Sequence, residues 1–122
     1  MGMDAYLYRV HNRREVENDD FFEKCITLSN RDAWEQDEFK SSAELWYGRK
    51  FWDLHHAVFG HNYENGTYVE VTKEMLEKML IFAAKNTDYF GGFNTVEALC
   101  WAYHYYDEMI EHGFILLYEC DW

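Results

Sequence analysis

Phe114-Ile115-Leu116-Leu117-Tyr118 is an unbroken apolar run that follows Gly113 near the C-terminus. A run this short, with no polar residue on alternate positions, reads as a strand buried on both faces. At the other end of the chain, Ala5-Tyr6-Leu7-Tyr8-Arg9-Val10 is β-prone and alternates, which reads as a first strand. Each is too short to be stable alone, so the two are expected to share one sheet.

Between them the chain reads mainly as helix and loop. Residues 12–20 are polar and read as a loop, and Phe21–Leu28 fits either a strand or a short helix. Residues 29–40 read as an acidic loop or weak helix around Trp34. Ser41-x-x-Glu44 has the form of a capping box and opens a helix to about Phe59, closed by Gly60. On that helix Leu45, Trp52, His56 and Phe59 share a stripe, and Gly48 marks a close approach by another element. Asn65-Gly66 signals a hairpin joining His61–Glu64 to Thr67–Val71. Thr72 caps a helix from Lys73 to about Asn86, with Met75, Leu76, Met79, Leu80 and Ala83 on its apolar face. Asp88–Phe93, with Gly91-Gly92, reads as a loop. Asn94-x-x-Glu97 caps the last helix, which ends at Gly113 with Val96, Leu99, Tyr103, Tyr106 and Ile110 as its core stripe. The expected fold is α+β: a small, mostly antiparallel sheet packed against about three helices.

Composition agrees with one domain over residues 1–122. The chain is 48% hydrophobic and 20% aromatic, enough for a core that needs no metal or disulfide. It has no proline and no linker-like segment at which to divide it. No apolar run approaches the roughly 20 residues of a membrane span, and the N-terminus lacks a secretory signal. Cys25, Cys100 and Cys120 are an odd, unpatterned set. The expected compartment is therefore the cytoplasm, and no cofactor is expected.

The charge is the outlying property. The net value is −12, and from Glu15 to Glu44 ten acids stand against three bases. After Lys85 there is no Lys or Arg, while seven Asp and Glu follow. Such a chain repels nucleic-acid phosphate and is steered toward basic protein surfaces. The plainer reading is a device for keeping an aromatic-rich protein soluble.

Met1-Gly2-Met3-Asp4-Ala5-Tyr6-Leu7-Tyr8 resembles the start of an uncharacterised group of small phage and prophage proteins that open on a Met-Gly-Leu-Asp-Met-Tyr-Leu type sequence. That group carries a Tyr-Trp-Arg-Lys, three residues, Ile-His helix; here Tyr47-Gly48-Arg49-Lys50 is followed after three residues by Leu54-His55. Tyr68-Val69 onward to Val71-Thr72 is similar, with one extra residue, to its Tyr-x-Val-Ser step, and Tyr118 and Trp122 to its aromatic C-terminal strand. Gly48 stands where the group has Trp, and the acidic segment Glu15–Glu38 has no counterpart. The resemblance implies a phage setting inside a bacterial host, where accessory proteins of this size often act as anti-defence inhibitors, anti-CRISPR proteins among them. It marks Arg49, Lys50 and His55 as motif residues.

Three constellations carry chemistry. Arg49, Lys50 and His55 are read on one helix, either as a basic contact or as an internal salt bridge to the acidic loop. His104, Glu108 and His112 recur every four residues, a spacing that suits a transition metal but leaves the site incomplete. Glu97, Trp101, Tyr105 and Glu108 lie away from the core stripe and read equally as a binding face with aromatic anchors and carboxylates or as part of a helix buried on both sides, with Trp101 in the core. No nucleophile elbow, phosphate loop or zinc-protease motif is present, and Cys100 reads as core. The expectation is a non-enzymatic, acidic binding protein that occupies the basic surface of a host nucleic-acid-handling defence protein, with no direct nucleic-acid or membrane contact. The expected contact residues are Asp19, Asp20, Trp34, Asp37, Glu38, Glu97, Trp101, Tyr105, Glu108 and Glu111; loop acids among them are expected to need no buried partner. The alternatives are a metal-binding protein or enzyme using His104, Glu108 and His112, and a self-associating phage assembly factor.

Overall fold

A computed structural model describes residues 3–28, 30–49, 51–61, 63–86 and 92–122. Strand β1 (Asp4–Val10) is followed by a 3-10 turn (Arg13–Glu17), then α1 (Phe21–Lys24), β2 (Ile26–Thr27), α2 (Arg31–Glu35) and β3 (Ala43–Arg49). The chain continues through α3 (Trp52–Phe59), β4 (Tyr68–Glu70), α4 (Lys73–Lys85), α5 (Gly92–His104), α6 (Tyr106–Glu111) and β5 (Ile115–Asp121). The fold is α+β, as expected. Its sheet has five strands in the order β2-β3-β1-β5-β4, and only the β2–β3 pair is parallel. The two terminal strands do pair, antiparallel from Asp4↔Asp121 to Val10↔Ile115.

Side-chain alternation divides this sheet into two different faces. Ala5 and Leu7 of β1, Ala43 and Leu45 of β3, and Leu116, Tyr118 and Cys120 of β5 enter the main core. Leu54 of α3, Leu76 and Met79 of α4, Leu99 and Ala102 of α5, and Met109 of α6 cover that face. The opposite face holds a smaller cluster of Tyr8, Val10, Phe21 and Leu117, roofed only in part by α1 and the 3-10 turn.

Several local expectations are corrected. Ser41-x-x-Glu44 opens no helix. Residues 43–49 form β3, because pairing with β1 from Asp4↔Arg49 to Arg9↔Ala43 satisfies their backbone and buries Leu45 and Trp46. A register shift between Leu7 and Tyr8 lets Leu45 and Trp46 both turn inward. Helix α3 begins only at Trp52, so Leu45 shares no helical stripe with Trp52, His56 and Phe59; Gly60 does close α3, with φ 77°. Gly48 marks a close approach within β3, where an added Cβ would overlap the rings of Trp46 and Phe51.

Asn65-Gly66 does form a turn, with Gly66 at φ 78° and Thr67 N–H donating to the Glu64 carbonyl at 3.1 Å. It does not join two paired strands: His61, Tyr63 and Glu64 are not in a strand, and β4 pairs instead with β5. Thr72 caps α4 as expected, accepting from Met75 N at 3.2 Å. Asn94 caps nothing, since α5 is already helical at Gly92; residues 88–91 of the expected loop lie outside the described residues. The last helix breaks at Tyr105. The break turns Met109 inward and leaves Ile110 41% exposed, so the expected stripe holds only through α5.

Candidate functional site

The acidic loop and α5 meet at an aromatic ridge. Asn30 caps α2 by accepting from Ala33 N at 2.9 Å, and Trp34 Nε1 donates to the Leu28 carbonyl at 2.6 Å. These bonds fix the Trp34 ring, which stacks on Trp101 of α5 at 6.1 Å between centroids. Phe39 lies parallel to Trp101 at 6.3 Å and also meets Tyr105 at 5.6 Å and His112 at 5.4 Å. Phe39 has φ 57°, a left-handed conformation costly for a residue with a Cβ. Its ring contacts hold it there, together with the cation beneath it.

That cation is Arg9. It is fully buried, and its Nη1 and Nη2 donate to Asp37 at 2.5 and 2.7 Å while Nε donates to the Ser41 carbonyl at 2.9 Å. Its guanidinium lies 4.8 Å from the Phe114 ring centroid and 5.7 Å from that of Phe39. Asp37 is therefore no free surface acid: its side chain is 3% exposed and locks the acidic loop to β1. The expectation that loop acids need no buried partner fails for Asp37.

The other expected contact residues divide between two places. Glu38, Glu97, Glu108 and Glu111 are exposed, and among the described residues only Glu38 has an ion pair, to Lys40 at 3.2 Å. Glu38 adjoins Phe39, and Glu97 stands one helical turn before Trp101. Trp101 and Tyr105 are half-buried, so the ridge is stacked on itself with its edges open. Asp19 and Asp20 are exposed too, but they precede α1, whose Phe21 packs on the opposite face of the sheet; Asp20 pairs with Lys24 at 3.4 Å.

The motif residues are not on one helix. Arg49 ends β3, His55 lies in α3, and Lys50 is outside the described residues. His55 is buried, its Nδ1 2.9 Å from the Tyr118 hydroxyl, and burial together with the charges of His56 and His61 lowers its pKa to about 4. The His104–Glu108–His112 column is interrupted at Tyr105. His112 Nδ1 is 2.8 Å from the Glu108 carbonyl, and its ring turns to Phe39. Among the described residues no group of three His, Cys, Asp or Glu is placed to hold a metal ion. Cys100, expected in the core, is exposed.

Sequence reasoning missed the less covered sheet face. There Tyr6 stacks on Tyr8 at 5.7 Å and 11°, and Tyr47 and Tyr68 extend the aromatic row on either side. A cleft of about 450 Å³ opens over Tyr6 and Tyr8, lined also by Phe22, Glu44, Glu119 and Asp121. The signal was present in the alternation Tyr6-x-Tyr8, but Glu44 had been read as a helix cap.

Compared with known protein families, curated proteins and solved structures, the chain matches none. Among the described residues no helix is long and apolar enough to cross a membrane.

Proposed function

We propose that this protein is an acidic docking protein that occupies a basic surface on a partner protein. The observation that carries the reading is the ridge of Trp34, Phe39, Trp101 and Tyr105, rimmed by exposed carboxylates. Aromatic anchors supply buried area, and the surrounding acids steer and select a positive surface. Surfaces rich in Arg and Lys are typical of proteins that grip nucleic-acid phosphate. In the phage setting implied by the resemblance of residues 1–8, a host defence protein such as a CRISPR effector is the partner class we propose. The protein then works by occlusion, without bond chemistry.

The test is capture from bacterial host lysate by the wild-type chain and by a Glu38, Glu97, Glu108, Glu111→Lys variant. Asp37 is left intact because it holds Arg9. The reading expects a basic, nucleic-acid-binding protein that the wild type retains, the variant loses, and excess duplex DNA displaces. Retention of the same partners by both chains, undisturbed by DNA, contradicts it.

A further inference from the structure

We infer that the cleft over Tyr6 and Tyr8 is a second binding site, built for an arginine side chain carried on a segment of a partner protein. It lies on the opposite sheet face from the ridge, so it goes beyond the docking reading, and either can fail alone.

The strand register builds the site. Tyr8 of the central strand has Glu44 beside it on β3, and Tyr6 has Glu119 beside it on β5. The two carboxylate-bearing strands stand roughly 10 Å apart across the tyrosine strand. A cation lying over the rings therefore meets a carboxylate on either side. Tyr8 is only 3% exposed, and the part of it that is exposed lines the cleft beside Tyr6.

The chemistry of the lining selects the occupant. Among the described residues it contains no Lys or Arg. The Glu44 carboxylate has no hydrogen bond or ion pair among the described residues, and burial pushes its pKa up. Glu119 is also raised by burial, although it accepts from the Tyr68 hydroxyl; Asp121 raises it further. Half-buried carboxylates without a counter-ion repel phosphate and favour a cation that brings its own donors. Stacked phenol rings attract a cation to their faces. A guanidinium satisfies both demands: it is planar, stacks on aromatic rings, is weakly hydrated, and has five N–H donors for carboxylate and phenol oxygens. A lysine ammonium meets the charge requirement but loses more hydration and cannot stack.

The probe is a tri-arginine peptide titrated into the full chain, followed by the backbone amide NMR shifts. Tri-citrulline, which keeps the shape and removes the charge, and tri-lysine are the comparisons. Expected are saturable shifts at Tyr6, Tyr8, Glu44 and Glu119 with arginine, at least about threefold weaker binding with lysine, and none with citrulline. Glu44→Gln with Glu119→Gln keeps the side-chain shape, and an unchanged spectrum elsewhere checks the fold; affinity should drop about tenfold. No shift at millimolar tri-arginine, equal binding of lysine or citrulline, or an unaffected double variant overturns the inference. Shifts confined to Glu38, Glu97 and Glu108 would overturn it as well, while leaving the ridge reading standing.

Discussion

Arg9 and Asp37 show how one residue pair can organise a fold that its charge pattern conceals. In a chain with 23 acids, one carboxylate more or less in a loop carries no evident weight. Asp37 is different because its partner has no access to water. Removing it leaves a buried guanidinium with only the Ser41 carbonyl, so Asp37→Ala should cost about 3–5 kcal/mol in denaturant unfolding. Glu38→Ala, at an exposed pair, should cost less than about 1 kcal/mol. Equal effects would show that the buried pair does not anchor the loop. His55 supplies a second residue-scale test. Its folded-state pKa is depressed to about 4 from 6.5, so the unfolded chain takes up the proton first as pH falls. Stability is then fully present above pH 6.5 and is lost progressively toward about pH 4. The raised Glu44 and Glu119 act in the opposite sense, losing stability as pH rises through their folded values. Comparison with His55→Gln isolates the histidine: between pH 7.5 and 4.5 the wild type should lose about 2–3 kcal/mol more than the variant. A variant that loses as much as the wild type would contradict the assignment.

Among the elements, the legible ones were those whose signals are local. Helix α4 carries its own cap and apolar stripe, and β1 and β5 are decided by alternation and by an apolar run. Strand β3 was illegible because its first residues imitate a capping box, whereas its real determinant is pairing with β1, forty residues away in sequence. The aromatic pair Trp46-Tyr47 was the one local hint of strand. The working capping box lies elsewhere, with Asn12 and Glu15 at the 3-10 turn. Glu44 thus moved from helix cap to cleft wall, which is why the cleft could not be read, while the break at Tyr105 left helical phase informative only through α5. The difference is measurable. Thr72→Ala should cost about 1 kcal/mol by removing the bond to Met75 N, and Ser41→Ala, whose side chain caps nothing, should stay within about 0.5 kcal/mol of wild type. If thermal unfolding ranks the two the other way, the assignment of residues 43–49 to β3 is wrong.

At the scale of the whole molecule, the sheet separates two aromatic surfaces that both carry carboxylates. Helices bury one face and leave an acid-rimmed aromatic ridge at their edge; the other face keeps a tyrosine floor between two carboxylates. Asp19 and Asp20 go with the second face, so the acidic stretch Glu15–Glu44 does not form one patch. If the ridge docks as proposed, its charge acts by accelerating encounter, because exposed carboxylates are individually weak, on the order of 0 to 1 kcal/mol, once contact is made. The most direct test of acidic docking is therefore the association rate constant with the captured partner, measured against ionic strength. The account predicts a steep fall in the association rate as salt shortens the screening length from about 30 to 10 Å, with a dissociation rate that barely changes. An association rate independent of salt would contradict it and leave the acidity as a solubility device.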